Sequence, residues 1–246
     1  MEWYPTPSYL VKRRVILEYL DRFEYRQVME VGCGCGDLLQ VLERKGYSGM
    51  GIDMAEDAVA YANTLLSAGR IRAACCTPEE VSQRFEVVIA SEVLEHQQDD
   101  TGFLCRLGEL LQDGGRLLLT VPAHMDKWGA NDDFCGHLRR YEREELCSKL
   151  AIAGFEDIVV YSYGVPIYNL MKPFYDRAIA KSATSGDQRE KTAGSGGMWL
   201  LRGAARLFRL LFNDVTMYPW YLLQRLFYTT DCGMGYFVAA HKKERT

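Results

Sequence analysis

The chain has 246 residues, of which 48% are apolar, so it can bury the core of one α/β domain with an insertion. Its net charge of -4 gives no case for nucleic acid as a partner. Its first residues do not have the pattern of a signal peptide and no uncharged apolar run reaches 18 residues, so we expect no signal peptide and no transmembrane helix. The eight cysteines include no C-x-x-C pair. We therefore expect no metal ligands, and free thiols in a cytoplasmic protein.

The predicted elements alternate between helices and strands along the first two thirds of the chain. The first is a helix from Ser8 to Phe23, with apolar residues at helical spacing, which we expect to lie over the ligand site. Another runs from Glu142 to Ala153 and ends at Gly154, a residue typical of helix C-termini. Runs that predict strands occupy residues 28–31, 49–53, 85–91, 116–122, 155–163 and 235–242. This alternation predicts an α/β fold with a parallel, doubly wound sheet.

A glycine loop follows the first of these strands. It reads Glu-Val-Gly-Cys-Gly-Cys-Gly from Glu30 to Gly36 and continues into a predicted helix. A strand that breaks into glycines and opens a helix lets a ligand lie against bare backbone at the positive helix end. A dinucleotide fingerprint would place its third glycine where Asp37 or Leu39 stands. The glycine spacing therefore disfavours a nicotinamide oxidoreductase. The pattern of this loop is acidic-x-G-x-G-x-G.

This loop and three later motifs resemble those of the class I S-adenosylmethionine-dependent methyltransferases. The later motifs are Gly49 to Asp53, Phe85 to His96 with its Leu-Glu-His ending, and Leu110 to Pro122. Together they are similar to the type 11 and type 23 groups and to ubiquinone-biosynthesis methyltransferases. The resemblance covers residues 28–160. It implies a Rossmann-like, mostly parallel seven-stranded sheet with helices on both faces and an antiparallel last strand.

The resemblance also implies a cofactor, S-adenosylmethionine, with S-adenosylhomocysteine as the product. Glu30 would lie beneath the cofactor's amino group, Asp53 would hold the ribose hydroxyls, and Met54 would pack on the adenine. The implied cofactor-binding residues are Glu30, Gly32, Cys33, Gly34, Gly36, Asp53, Met54, Ser91 and Glu92. The chain departs from the family where an acid usually meets the adenine edge, because residues 73–78 contain none before Glu79.

Histidines are the candidate bases, since an oxygen or nitrogen acceptor often has to lose a proton. His96, His124 and His137 follow predicted strands, on the side where ligands bind in such sheets, whereas His241 lies within the last strand. The first three are therefore the candidate catalytic residues. For His96, a role in capping a helix or supporting the site from behind is the alternative.

Residues 122–141 resemble a subgroup of these methyltransferases that has a Val-Pro-Ala-His loop and a Gly-His-x-Arg-Arg-Tyr motif. Arg140 and Tyr141 are candidate substrate-binding residues, because they could hold an anionic or hydroxylated acceptor. The alternative is that both residues brace this loop against the helix that begins near Glu142.

The domain organisation follows from the position of the last strand. Residues 1–163 with 233–246 form the predicted methyltransferase domain, and residues 164–232 form a helical insertion between the sixth and seventh strands. A segment rich in serine, glycine and charge, 182–197, predicts a flexible loop within the insertion.

The end of the insertion has two interpretations. Trp199 to Phe212 reads as an amphipathic helix, and an apolar aromatic stretch follows it. One interpretation is a lid over a substrate pocket. The other is peripheral membrane contact through 199–228, because arginine with tryptophan and tyrosine suits a lipid interface.

The leading hypothesis is methylation of a small-molecule or lipid- or glycan-linked acceptor, at oxygen in preference to nitrogen. The alternatives are an N-methyltransferase and a module that binds the cofactor without turnover. The acceptor and the oligomeric state do not follow from these residues, because a fold does not fix a substrate.

Overall fold

The fold is described from a computed structural model, which covers residues 2–183, 197–200 and 202–243. The strands are β1 Glu2–Pro5, β2 Gln27–Val31, β3 Ser48–Asp53, β4 Ile71–Cys75, β5 Phe85–Ser91, β6 Leu111–Pro122, β7 Phe155–Tyr163, β8 Gly197–Leu200 and β9 Gly235–Lys242. The helices are α1 Pro7–Leu20, α2 Asp37–Arg44, α3 Glu56–Leu65, α4 Asp100–Glu109, α5 Ala130–Cys135, α6 Arg143–Ile152, α7 Ile167–Ala183, α8 Arg202–Leu211 and α9 Tyr218–Arg225. Short 3-10 helices occupy Pro78–Glu80, Leu94–His96 and Met125–Lys127.

Seven strands form the central sheet, in the order β4-β3-β2-β5-β6-β9-β7. Strands β2 to β6 pair in parallel with their neighbours, and β9 lies antiparallel to both β6 and β7. The strand order reverses between β2 and β5, which is where ligands bind in open α/β sheets. The predicted fold class is thus confirmed, including the antiparallel last strand.

Helices cover both faces of this sheet and bury two apolar layers. Helices α4 and α6 supply Leu104, Leu107, Leu146 and Leu150 to one layer. The other layer contains residues of α1, α2 and α3. Central strands buried on both faces read as continuous apolar runs. This is why the sequence alone located β2 and β5.

The insertion differs from its prediction at its end. Trp199 was expected to begin a helix, but residues Gly197–Leu200 form β8, which pairs antiparallel with β1. Helix α8 starts only at Arg202. The two short strands have no alternating apolar pattern, so periodicity could not find them. The predicted flexible loop lies outside the described residues for positions 184–196.

Helices α7 and α9 of the insertion pack on α1. The apolar cluster between them contains Leu10, Val11, Ile167, Met217 and Tyr221. None of the described helices combines the length and apolar character that crossing a membrane would need. The insertion is therefore anchored to the helix that also reaches the candidate site.

Candidate functional site

A cavity of about 540 Å³ opens at the carboxyl ends of β2, β3, β4 and β5. The glycine loop after β2 forms its floor, and residues of α1 lie on its side. All nine predicted cofactor-binding residues line it: Glu30, Gly32, Cys33, Gly34, Gly36, Asp53, Met54, Ser91 and Glu92. The sheet therefore brings together residues that are far apart in the sequence, at the point where its strand order reverses.

The glycine loop requires glycine at two of its positions. Gly32 has φ +74°, and a β-carbon there would lie 2.4 Å from Val93 Cγ2. Gly36 has φ +76°, and a β-carbon there would lie 2.6 Å from the Ala62 β-carbon. Larger residues would strain the loop and separate α2 from α3. The bare backbone leaves room for a ligand at the N-terminus of α2.

The Asp53 carboxylate at the end of β3 holds the same loop in place. Its two oxygens accept hydrogen bonds from the backbone N–H of Gly34, at 2.8 Å, and of Ala55, at 2.9 Å. Each carboxylate oxygen keeps a second lone pair, which can accept a ribose hydroxyl. The Asp53 carboxylate can therefore hold the loop and bind the ribose of a nucleoside at the same time.

Glu30 is the clearest sign that the cavity takes a cation. Its side chain is buried, and Oε2 has no hydrogen-bond partner among the described residues. Burial raises the pKa of Glu30 well above its usual value, and the charges of Asp37 and Asp53 raise it further. A buried, unsatisfied carboxyl oxygen beside a glycine cradle fits the ammonium group of S-adenosylmethionine. The cavity thus fits that cofactor.

Lys12 and Tyr9 of α1 also line the cavity, and sequence reasoning missed both. Lys12 is 8% exposed, and its ammonium lies 5.4 Å from the centre of the Tyr9 ring. It makes no ion pair with any residue that the structure describes. The available signal was a lysine inside an apolar helix, since lysine is seldom buried without a partner or a ligand. Lys12 thus offers the cavity a positive charge.

Glu92 follows β5 in a strained conformation, with φ +58°. Burial opposes its ionisation, but Lys12, His137 and a hydrogen bond donated by the Tyr163 hydroxyl, at 2.9 Å, lower its pKa overall. Strain of this kind persists where the surrounding structure fixes the residue, often at active sites. Glu92 therefore presents a negative charge at the inner end of the cavity.

His96 is the one predicted catalytic histidine that lines this cavity. Its Nδ1 lies 3.3 Å from the carbonyl oxygen of Gly136. A carbonyl only accepts, so the neutral ring carries its proton on Nδ1 and keeps a lone pair on Nε2. Partial burial, together with His137, lowers the pKa of His96. The ring is therefore neutral at pH 7 and can accept a proton.

His137 lies behind His96, with its ring centre 4.9 Å from that of His96. Its Nδ1 hydrogen-bonds Asp132 at 2.8 Å, and its Nε2 lies 3.8 Å from Oε1 of the buried Glu95. Glu95, His96 and His137 each offer one atom within 4.8 Å of the others, a spacing that could hold a metal ion. Burial and the charge of Glu92 raise the pKa of Glu95.

His124, Arg140 and Tyr141 are not among the residues that line the cavity. His124 hydrogen-bonds Glu142 at 3.0 Å and lies against Tyr236. Because His124 does not line the cavity, the structure gives its predicted catalytic role no support. A histidine after a strand can turn towards the next helix, and its sequence position does not reveal this.

Arg140 and Tyr141 are buried and fully engaged within the protein. Both side-chain oxygens of Asp132 accept from Arg140, at 2.9 and 3.0 Å, and the carbonyl of Ala123 accepts at 2.9 Å. The Tyr141 hydroxyl donates to Asp100 at 3.0 Å. These contacts favour the bracing interpretation over substrate binding, because neither side chain has an open face for an acceptor.

The end of β4 lacks the acid that the family resemblance led us to expect, as the sequence indicated. Glu79 in the following 3-10 helix lines the cavity together with Cys76 and Thr77. Glu79 is therefore the first acid after β4 that reaches the cavity.

Comparison with known proteins gives the family. A family model described as a methyltransferase domain matches residues 9–160. The ubiquinone biosynthesis O-methyltransferase of Bradyrhizobium sp. (strain ORS 278) is 33% identical over 99 residues, 39% of each chain. That of Idiomarina loihiensis is 27% identical over 183 residues, 67% of this chain and 74% of the relative. The matched region thus spans about two fifths of the Bradyrhizobium relative.

A solved structure shows the same fold across nearly the whole chain. Phosphoethanolamine N-methyltransferase 2 of Haemonchus contortus, in complex with S-adenosyl-L-methionine, has a TM-score of 0.61 at 16% identity. The similarity covers 95% of this chain and 52% of that one. Because the family model covers more than half of the chain, the protein belongs to the methyltransferase domain family.

Proposed function

We propose that the protein transfers a methyl group from S-adenosylmethionine to an oxygen atom of a small-molecule acceptor. The observation that carries this proposal is that one cavity contains both the residues that would bind the methyl donor and a histidine that can act as a base. The glycine loop, Glu30 and Asp53 form the donor end, and His96 lines the same cavity. Family membership and the O-methyltransferases among the relatives support the choice of reaction.

Binding and orientation are the main tasks of these residues. The cofactor supplies an activated sulfonium methyl, so the protein mainly has to align donor and acceptor. Asp53 would hold the ribose, and Glu30 the ammonium. Glu92 and Ser91 would face the acceptor at the inner end, with Ser91 fixed by its hydroxyl contact to Thr120 at 2.9 Å.

His96 would remove the acceptor's proton. Its Nδ1 is bound to the Gly136 carbonyl, so Nε2 is the nitrogen that accepts. A lowered pKa keeps the ring unprotonated at neutral pH, which a base requires. Oxygen acceptors profit most from such a base, because hydroxyls are poor nucleophiles until they lose the proton. This preference for oxygen over nitrogen rests on His96.

The test has a binding part and a turnover part. Isothermal titration should show micromolar affinity for S-adenosylmethionine and S-adenosylhomocysteine, and Asp53→Ala should weaken both at least about tenfold, the loss of a charge-assisted hydrogen bond. Absence of binding to both ligands would contradict the proposal. The matched control is Asp57→Ala, which removes an exposed carboxylate from α3.

Turnover is measured as transfer of labelled methyl from the cofactor into a small-molecule extract. We expect His96→Gln to lower turnover about 10²- to 10⁴-fold while cofactor affinity stays unchanged. Normal turnover by this variant would remove the base and favour the N-methyltransferase alternative. Binding without any labelled product would favour a module that binds the cofactor without turnover. The extract should also include lipid- and glycan-linked molecules, the other acceptor classes that the sequence leaves open.

A further inference from the structure

The insertion presents apolar side chains to solvent where a surface helix would present polar ones. Along α9, Met217, Tyr221 and Gln224 are buried against the rest of the protein. Tyr218, Leu222 and Leu226, spaced by four, point the other way and are exposed, Leu226 to 72%. A helix on a water-exposed surface has one apolar stripe, whereas α9 has two.

The inner stripe is firmly held, so the outer stripe is not a result of loose packing. Gln224 donates to the backbone carbonyl of Val11 at 3.2 Å and accepts from the N–H of Gly164 at 2.8 Å. Arg225 pairs with Glu18 of α1 at 2.8 Å. These bonds fix the rotation of α9 about its axis. The exposed stripe is therefore a fixed feature of the surface.

Helix α8 adds more apolar surface and positive charge. Leu207, Leu210 and Leu211 are exposed, Leu210 to 71%. Arg206 and Arg209 are exposed beside them, and neither makes an ion pair with the part of the chain that the structure describes. We give the name insertion face to six of the exposed apolar side chains of α8, of α9 and of the residue that follows α9; they are Leu207, Leu210, Leu211, Tyr218, Leu222 and Leu226.

The charge of this segment favours an anionic occupant. Residues 199–228 contain four arginines and one aspartate, whereas the whole chain has a net charge of -4. Asp214 is paired with Arg13 and Arg225 is paired with Glu18, each at 2.8 Å, so Arg206 and Arg209 supply the positive charge of the face. A second copy docked symmetrically would bring arginines towards arginines. A surface that is anionic outside and apolar inside matches both the positive charge and the exposed apolar side chains of the insertion face.

We propose that the insertion face docks on an anionic phospholipid bilayer. The leucines and Tyr218 would enter the boundary between headgroups and acyl chains, and Arg206 and Arg209 would contact lipid phosphates. In this arrangement the protein lies on the membrane surface and does not span the bilayer. None of the described helices could cross it. It stands independently of methyl transfer, since none of these residues belongs to the cofactor cavity.

Co-sedimentation of the full chain with vesicles tests the proposal. We expect binding to vesicles of equal parts phosphatidylcholine and phosphatidylglycerol, and much weaker binding to phosphatidylcholine alone or in high salt. Arg206→Gln with Arg209→Gln should lower the partition coefficient roughly 25-fold, about fivefold for each arginine. The control is Arg72→Gln with Arg84→Gln, two exposed arginines elsewhere, which should bind as the wild type does.

Leu222→Ser with Leu226→Ser should reduce binding to anionic vesicles, whereas Ile152→Ser, which alters an equally exposed residue of α6, should not. All substituted side chains are exposed, and circular dichroism checks that each variant folds. Wild-type protein that stays in the supernatant, or equal partition of the arginine variant and wild type, would overturn the proposal. So would a dimer in sedimentation velocity that Leu222→Ser with Leu226→Ser converts to monomer.

Discussion

The carboxyl group of Glu30 links cofactor binding to pH. Its pKa is raised well above the usual value because the group is buried near Asp37 and Asp53. The ammonium of the cofactor favours the ionised form, so binding should expel a proton from Glu30. Affinity for S-adenosylmethionine should therefore rise with pH until free Glu30 itself ionises.

Calorimetric titration in two buffers of different ionisation enthalpy measures that proton directly. We expect Glu30→Gln to weaken binding about 10- to 100-fold, the loss of a charged hydrogen bond, and to abolish proton release. An identical binding enthalpy in both buffers for the wild type would contradict the role given to Glu30.

Lys12 should bind the carboxylate of the cofactor's methionyl part. It is the lysine that lines the cavity, whereas Glu30, Asp53 and Glu92 on the same lining are carboxylates, which would repel that group. We expect Lys12→Met to lower affinity for S-adenosylhomocysteine about tenfold, the loss of one charged contact. Affinity for 5′-methylthioadenosine, which lacks the carboxylate, should be unchanged. Equal losses for both ligands would mean that Lys12 supports the cavity without contacting that carboxylate.

Single residues were predictable where a motif fixes the backbone. Glu30, Asp53 and the glycines lie at strand ends, and the order of strands determines where those ends meet. Lys12 and the side chain of His124 were not predictable, because their positions depend on how α1 and the 123–141 loop pack. A sequence does not record that packing.

At the scale of elements, the loop after β6 is held by one buried ion pair. Arg140 and Asp132 are 3% and 0% exposed, and they make two hydrogen bonds with each other. Arg140→Ala would leave Asp132 buried without its main partner, at a cost of about 3–5 kcal/mol. Urea unfolding measures this loss.

Arg139→Ala is the matched control for Arg140, because Arg139 is more exposed and pairs with Asp100 at 2.8 Å. It should cost about 1 kcal/mol or less. If both variants lost the same free energy of unfolding, the buried pair would not be what stabilises the loop.

The elements found from the sequence are those with a strong period or a continuous apolar run. Helix α1, with apolar residues at helical spacing, and the strands of the central sheet other than β4 are examples. Strands β1 and β8 are only four residues each and pair across almost the whole length of the chain. The pattern of neighbouring residues cannot reveal such a pairing. For this reason the sequence predicted a helix from Trp199 where the structure has the end of β8.

For the molecule as a whole, Arg13 connects the cofactor loop with the insertion. Its guanidinium pairs with Asp37, the first residue of α2, and with Asp214, before α9. We expect Asp214→Asn to speed amide hydrogen exchange in α9 and leave β5 and β6 unchanged, because it loosens the insertion alone. Equal acceleration in the sheet would mean that the insertion and the sheet unfold as one unit.

Strand β9 lies inside the sheet although it is the last of the described strands to be synthesised. Until residues 235–242 leave the ribosome, β6 keeps an open edge, and β7, which pairs with β9 alone, has no strand partner. Such edges readily pair with other chains. A nascent chain stalled before residue 235 should therefore be prone to aggregate, and the sheet should close only after residue 242 has left the ribosome.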